Sequence, residues 1–138
     1  MKTSPKILVI DDSEGDNFLT KRIFSKSEKI KESDLYFCLN GKEALEFLIN
    51  LNNKHPDDLP KIILLDINMP IMDGFEFLEK FNNLRETEKF INSSIILMLT
   101  SSQNEEDKKR VEKYSFVKGF FNKPLLKEMA EDLLEKYL

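Results

Sequence analysis

The chain has very little cysteine and histidine. Its 138 residues include one of each, Cys38 and His55. A single cysteine excludes an intrachain disulfide, and Cys38 lies in the apolar stretch 35–39, so we predict a small buried strand residue. His55 lies in a polar loop beside Pro56 and lacks the partners of a catalytic or metal-binding histidine. We therefore predict that His55 is solvated.

Long apolar runs and an excess of positive charge are also missing. No run approaches the roughly 18 apolar residues of a membrane-spanning helix. The first residues lead directly into a predicted strand without a signal-peptide core, so we expect a cytoplasmic protein. The net charge of −4 argues against non-specific binding to nucleic acid. We expect a single domain over residues 1–138, with neither a membrane nor a nucleic acid as partner.

Short apolar runs alternate with longer segments of helical periodicity. The runs predict strands at 6–10, 34–38, 61–65, 95–99 and 118–122. The periodic segments predict helices at 15–29, 42–52, 74–84, 104–114 and 125–137. This alternation predicts an α/β fold, a three-layer doubly wound domain with a parallel sheet. The common strand order for this count is 2-1-3-4-5, which places strands one and three side by side at the switch point.

Two of the predicted helices have clear apolar stripes. In the first helix we expect Phe18, Leu19, Ile23 and Phe24 to face the core. In the last helix the stripe is Leu126, Met129, Ala130, Leu133, Leu134 and Tyr137.

Polar side chains end several of the predicted strands. Asp11 and Asp12 follow strand one, and Asp66 follows strand three. Thr100 ends the fourth apolar run, and Lys123 follows strand five. Because the carboxyl ends of parallel strands meet at one edge of the sheet, we expect these side chains to lie close together. Taken alone, each of these side chains has an ordinary explanation as a helix cap, a packing residue or a surface residue. Their combination at the ends of four strands is much less probable by chance.

Such a site suits a divalent cation and a phosphoryl group. Neighbouring carboxylates repel one another, and a bound cation removes that cost. Oxygen ligands without histidine or cysteine favour Mg²⁺ or Mn²⁺ over zinc. An acid left free can act as nucleophile, since carboxylates accept phosphoryl groups. Lys123 offers a positive charge to the phosphoryl oxygens, and Thr100 offers a hydroxyl donor.

Four segments, 7–12, 64–74, 99–101 and 122–124, carry a family resemblance. They read Ile-Leu-Val-Ile-Asp-Asp, Leu-Leu-Asp-Ile-Asn-Met-Pro-Ile-Met-Asp-Gly, Leu-Thr-Ser and Asn-Lys-Pro. Over nearly its whole length the chain resembles a receiver domain of the bacterial two-component response regulators. The resemblance implies a flavodoxin-like (βα)5 fold. The chain ends with its fifth predicted helix, so we expect a stand-alone, single-domain receiver that signals through protein contacts.

The resemblance implies a phosphoacceptor and a metal site. Asp66 would take a phosphoryl group from a histidine of a partner sensor kinase or histidine phosphotransfer protein. The side chains of Asp12 and Asp66 and the backbone carbonyl of Asn68 would bind magnesium, with Asp11 acting directly or through water. Lys123 would contact the phosphoryl oxygens. Beyond this phosphoryl transfer and its own dephosphorylation, no enzymatic activity is expected.

The resemblance also implies switch and lifetime positions. Thr100 would turn toward the phosphoryl group, and Phe120 occupies the aromatic switch position. Asn68 and Ser102 flank the expected path of hydrolytic water and would tune the lifetime of the phosphoryl aspartate. The peptide bond before Pro124 is expected to be cis.

We expect the signal to be read on the face formed by helix four, strand five and helix five. Segment 104–110 is entirely polar, which leaves mainly Val111 and Tyr114 as anchors, and a sparsely anchored helix shifts cheaply. An ordinary solvated charged helix fits the same pattern equally well. The same face is a candidate homodimer interface.

Two other functions stay open. A small magnesium-dependent aspartate phosphatase would use a similar strand-end aspartate, threonine and lysine. Such enzymes usually need a second acid two residues after the nucleophile, where this chain has Asn68. The third possibility is a non-phosphorylated adaptor with a degenerate site, although every required residue is present.

Overall fold

The computed structural model describes residues 4–88 and 93–138. The strands are β1 (Ile7–Ile10), β2 (Leu35–Cys38), β3 (Ile62–Leu65), β4 (Ile95–Thr100) and β5 (Val117–Asn122). The helices are α1 (Glu14–Ser25), α2 (Gly41–Lys54), α3 (Gly74–Glu88), α4 (Glu105–Glu112) and α5 (Lys127–Tyr137). Short 3-10 turns lie at Glu32–Asp34 and Pro56–Asp58. Among the described residues, none of these helices has the length and apolar character needed to cross a bilayer.

The strands form one parallel sheet in the order β2-β1-β3-β4-β5. This confirms the predicted fold class and strand order. Ile10 pairs with Cys38 on one side and with Leu65 on the other. The next residues, Asp11 and Asp66, therefore leave the sheet at the same level, beside the switch point between β1 and β3.

The sheet is buried on both faces because helices cover each side. On one side α2, α3 and α4 pack through Leu48, Phe77 and Val111, all fully buried. On the other side α1 and α5 pack through Phe24 and Leu133. Burial on both faces explains why β1 and β3 are continuously apolar instead of alternating.

The prediction for the inward face of α1 is half wrong. Phe24 is buried, but Phe18 is 63% and Leu19 48% exposed. The buried positions of α1 are Asn17, Thr20 and Phe24, at spacings that share one helical face. Two of these residues are polar, so the apolar stripe of the sequence falls on neighbouring residues, two of which the fold leaves exposed.

Some predicted boundaries also shift. Helix α1 ends at Ser25 rather than at 29, and α3 continues to Glu88 rather than 84. Helix α5 begins at Lys127, and Leu126 is its N-cap, 52% exposed instead of part of the core stripe. Residues 85–88, which follow the predicted third helix, are thus helical, and residues 89–92 lie outside the described residues.

The predictions for the single cysteine and the single histidine are confirmed. Cys38 is 3% exposed at the end of β2, and burial raises the pKa of its thiol to about 12. A thiol of such high pKa is inert at neutral pH. His55 is exposed.

Candidate functional site

Three carboxylates meet at the carboxyl ends of β1 and β3. Asp11, Asp12 and Asp66 each offer an oxygen, and these oxygens all lie within 4.8 Å of one another. Asp11 and Asp66 are buried, whereas Asp12 is exposed. An all-oxygen donor set that is partly open to solvent fits Mg²⁺, which keeps some of its waters when it binds a protein.

Lys123 reaches this cluster from the end of β5. Its Nζ atom lies 2.6 Å from Asp11 Oδ2 and 3.1 Å from Asp66 Oδ2. A third carboxylate, that of Asp16 in α1, lies 2.9 Å from the same nitrogen. The backbone supports this placement, because the Lys123 N–H donates to the carbonyl oxygen of Thr100 at the end of β4. One ammonium therefore joins α1, β1, β3 and β5.

Backbone donors orient the two buried carboxylates. The Ile67 N–H donates to Asp66 Oδ1 at 2.8 Å, and the Ser13 N–H donates to Asp11 Oδ1 at 2.9 Å. Each carboxylate thus has one oxygen fixed by the backbone and the other facing Lys123. This arrangement holds both acids in place before any ligand arrives.

At this site burial and the neighbouring charged groups shift the pKa values of Asp11 and Lys123 in opposite directions. Burial raises the pKa of Asp11, although the hydrogen bond from Lys123 opposes the shift. Burial works against the charged form of Lys123, but its hydrogen bonds with Asp11 and Asp16 outweigh burial and raise its pKa. The lysine is therefore fully charged at neutral pH, as a clamp for phosphoryl oxygens requires.

The hydroxyl predicted from strand four lies inside the fold. Thr100 is fully buried, and its Oγ1 accepts a hydrogen bond from the Ser102 N–H at 3.3 Å. The Ser102 Oγ donates to Asp107 Oδ2 in α4 at 2.7 Å. Ser102 therefore connects the strand-end threonine to the first turn of α4.

The remaining predicted residues lie in the loop after β3 and in β5. Asn68 is exposed in the loop after β3. Phe120 is half-buried in β5, pairs with Met98 of β4 and packs against the core on the α4 side. The peptide bond between Lys123 and Pro124 is cis, which confirms that prediction.

Three site residues are not predictable from the strand ends. Asp16 contacts Lys123, Ser13 caps α1 and holds Asp11, and Asn17 donates through Nδ2 to the Asp11 carbonyl oxygen at 2.9 Å. An acid in a first helical turn ordinarily indicates only a favourable interaction with the helix dipole. The signal that could have found Asp16 is its position one turn beyond the strand-end acids.

Comparison with known proteins agrees with the fold. The response regulator receiver domain family matches residues 7–136. Sporulation initiation phosphotransferase F of Bacillus subtilis (strain 168) is 27% identical over 133 residues, which cover 96% of this chain and 93% of that protein. Chemotaxis protein CheY of Halobacterium salinarum is 30% identical over 133 residues, 96% of each chain. The crystal structure of a two-component response regulator from Cytophaga hutchinsonii superposes with a TM-score of 0.83 at 27% identity, over 99% of this chain and 98% of the other.

The chain belongs to the response regulator receiver domain family. Receiver domains are in general magnesium-binding signalling modules, not enzymes, and they interact with histidine kinases or histidine phosphotransfer proteins. The acidic cluster of this chain is consistent with that chemistry.

Proposed function

We propose that residues 1–138 act as a single receiver in a two-component phosphorelay and take a phosphoryl group onto Asp66. One observation carries the proposal: the buried Asp66 carboxylate lies 3.1 Å from the Lys123 ammonium within a cluster of carboxylates. The acid is placed at the switch point of the sheet, where such folds bind ligands. The donor is a phosphohistidine of a sensor kinase or a phosphotransfer protein, and the reaction takes place in the cytoplasm.

Phosphoryl transfer here needs positioning and charge neutralisation more than covalent help. An oxygen of Asp66 attacks the phosphorus, and the bond from phosphorus to the histidine nitrogen breaks. The imidazole leaves with the bonding electron pair and takes up a proton. Lys123 is placed to neutralise the phosphoryl oxygens, and the Thr100 hydroxyl turns toward them from β4.

The acids also form the proposed metal site. Asp11, Asp12, Asp66 and the backbone carbonyl of Asn68 would hold Mg²⁺ or Mn²⁺, which supplies positive charge next to the transferring group. The need for that charge is clear, because phosphorylation adds about −1.5 to −2 charges to a site that is already acidic. Asn68 and Ser102 then control the approach of the water that hydrolyses the acyl phosphate and restores the Asp66 carboxylate.

The proposed output surface is the face formed by α4, β5 and α5. Val111 is the one buried residue of α4, so a small change at Thr100 or Phe120 can move this helix at low cost. Open grooves of about 330 and 210 Å³ lie beside Phe120, between α4 and β5. We propose that a downstream protein, or a second copy of the chain, binds this face.

The proposal is tested by phosphorylation in solution with a matched pair of variants. The protein is incubated with Mg²⁺ and acetyl phosphate, and separately with Mg²⁺ and beryllium fluoride, and is followed by intact mass and amide chemical shifts. Asp66→Asn should abolish modification, whereas Asp132→Asn, an exposed change in α5, should leave it intact. Omitting Mg²⁺ should also abolish it.

The other candidate functions give different results in the same experiment. Rapid multiple turnover of added phosphomonoesters that depends on Asp66 would indicate a phosphatase. Absence of modification with acetyl phosphate, beryllium fluoride and a phosphorylated histidine donor would indicate an adaptor and overturn the proposal.

A further inference from the structure

Lys123 shares its charge among three carboxylates, and only two of them belong to the metal cluster. Asp11 and Asp66 lie in that cluster, but Asp16 does not. Asp16 is nevertheless a direct partner of the lysine, at 2.9 Å between Asp16 Oδ2 and Lys123 Nζ. An ammonium has three N–H donors, so all three carboxylates can be bonded at once.

The backbone of Asp16 is firmly held. The residue lies in the first turn of α1, where its N–H donates to the Oγ of the N-cap Ser13 at 3.1 Å. A negative charge is favourable at that end of a helix. Helix α1 is itself attached to β1, because the Asn17 side chain donates to the Asp11 carbonyl oxygen. Asp16 thus offers a fixed anion to Lys123.

The three partners differ in their position relative to solvent. The side chains of Asp11 and Asp66 are 6% and 8% exposed, whereas that of Asp16 is 42% exposed. Asp11 and Asp66 therefore draw the ammonium inward, and Asp16 draws it outward. A phosphoryl group on Asp66 would extend outward from the carboxylate, toward the solvent-facing side of the site.

We propose that Asp16 is a positioning residue for phosphoryl transfer, which holds Lys123 on the outer side of the acid cluster, where its ammonium meets the phosphoryl oxygens. This inference rests on the proposed function of Asp66. Metal binding and phosphorylation would act directly on Asp11 and Asp66, which belong to the acid cluster, and not on Asp16, which lies outside it. Without it, the ammonium settles against the inner carboxylates and meets the incoming phosphoryl group less often.

The test compares three substitutions at this position. Asp16→Asn keeps the size and removes the charge, Asp16→Ala removes both, and Asp16→Glu restores the charge on a longer arm. With acetyl phosphate and Mg²⁺, the first two should be modified roughly three- to tenfold more slowly at saturating donor, which is less than the roughly 100-fold cost of a full 1 Å misplacement because Lys123 keeps its other two partners. Asp16→Glu should recover part of the loss.

A double-mutant cycle separates positioning from a general effect on folding or charge. In a Lys123→Met background, Asp16→Asn should have no further effect on the rate, since Asp16 acts through the lysine. A second readout, the NMR resonance of the Lys123 ammonium, needs no phosphoryl transfer. In the presence of Mg²⁺ and beryllium fluoride, this resonance should shift in Asp16→Asn and stay in place in Asp132→Asn.

Three outcomes would overturn the inference: wild-type rates in Asp16→Asn and Asp16→Ala, faster modification in either variant, or an equal loss in the Lys123→Met background. Failure of the wild-type protein to be modified on Asp66 would instead contradict the proposed function itself. The wild-type control therefore distinguishes the two failures.

Discussion

Gly74 lies directly against the backbone of Asp66. A Cβ atom on Gly74 would stand 2.5 Å from the Asp66 carbonyl oxygen and 2.8 Å from the Cα of Ile67. The Gly74 N–H also donates to the Ile67 carbonyl oxygen at 2.7 Å. Since these neighbours are backbone atoms and cannot rotate away, the start of α3 fixes the segment that carries the proposed phosphoacceptor.

Gly74→Ala should disturb both stability and the site. The added methyl group must push α3 away from the end of β3, and we expect the free energy of unfolding to fall by about 1–3 kcal/mol. Because the displaced backbone carries Asp66, beryllium fluoride binding should weaken as well. Urea unfolding measures the change in stability, and a titration with beryllium fluoride measures the change in binding.

Gly15→Ala is the matched control for this substitution. Gly15 lies in the first turn of α1, and its nearest contact for an added Cβ is the Ser13 Oγ at 3.9 Å. The change should raise stability by up to about 1 kcal/mol, because alanine is the better helix former. Equal stability losses in Gly15→Ala and Gly74→Ala would show that the contact with Asp66 is not the cause.

Ile71 adopts a strained backbone conformation in the loop between β3 and α3. Its φ is 70°, in the left-handed region that β-branched residues avoid, and its side chain is 76% exposed. Little packing is lost when it is replaced. Ile71→Asn should therefore raise the free energy of unfolding by about 1 kcal/mol, since the left-handed conformation costs an L-residue roughly 1–2 kcal/mol and asparagine tolerates it better.

Ile49→Asn is the control for Ile71→Asn. It tests whether replacing any exposed isoleucine is enough to raise stability. Ile49 is 40% exposed in the regular helix α2, where asparagine has a lower helix propensity than isoleucine. Thermal melts should show a higher midpoint for Ile71→Asn and a lower one for Ile49→Asn. Stabilisation by both substitutions would mean that removing an exposed apolar residue, not relieving the backbone, is responsible.

Much of the fold and the main site residues could be predicted from the sequence because the signals are local. Continuous apolar runs mark the covered strands, and the residue that follows each run must appear at one edge of a parallel sheet. That logic places Asp11, Asp12, Asp66, Thr100 and Lys123 at one edge, where the structure has them.

Other features depend on tertiary contacts that no local pattern encodes. Asn17 takes a core-facing position in α1 because its amide hydrogen-bonds to the Asp11 carbonyl oxygen, so Phe18 and Leu19 turn to solvent. Asp16 joins the site through Lys123, which is far away in sequence. The strain at Ile71 follows from the path of the loop, not from any preference of isoleucine.

A separate ion pair lies at the amino ends of β1 and β2, away from the proposed site. It predicts that the protein loses stability at alkaline pH. Lys6 Nζ lies 2.7 Å from Asp34 Oδ1, and the side chains are 15% and 4% exposed. The hydrogen bond to Asp34 raises the pKa of Lys6 above its ordinary value of 10.5, although burial opposes the shift. The folded state therefore binds this proton more tightly than the unfolded state. The resulting stability is complete below pH 10.5 and disappears as the pH rises through the folded pKa.

Lys6→Met should remove this contribution. At pH 7 the variant should be less stable by about 3 kcal/mol or more, because Asp34 is left buried without its counter-ion. Above pH 10.5 the difference from the wild type should shrink. Urea titrations from pH 7 into the alkaline range measure this stability difference.

Lys21→Met, which breaks an exposed ion pair with Glu32, is the control and should change stability by less than about 1 kcal/mol. A difference between wild type and Lys6→Met that stays constant with pH would contradict the assignment.

Helix α4 should open more readily than α5, because it is anchored more sparsely. Val111 is its one buried residue, and the Arg110 guanidinium over the Phe75 ring, at 3.8 Å, adds a contact at the surface. Helix α5 buries Ala130, Leu133 and Leu134. Native-state hydrogen exchange should therefore show amides in α4 exchanging at least about tenfold faster than those in α5.

Two core truncations show whether this anchoring is local. Val111→Ala should speed exchange in α4 and leave α5 little changed, because α4 opens without the rest of the fold. Leu133→Ala should instead lower global stability by about 2–5 kcal/mol, so that protection falls across the sheet. Beryllium fluoride should alter exchange in α4 more than in α5 if this helix reports phosphorylation. If α4 is as protected as α5, both with and without beryllium fluoride, then α4 is a rigid part of the core. The output surface would in that case lie elsewhere on the protein.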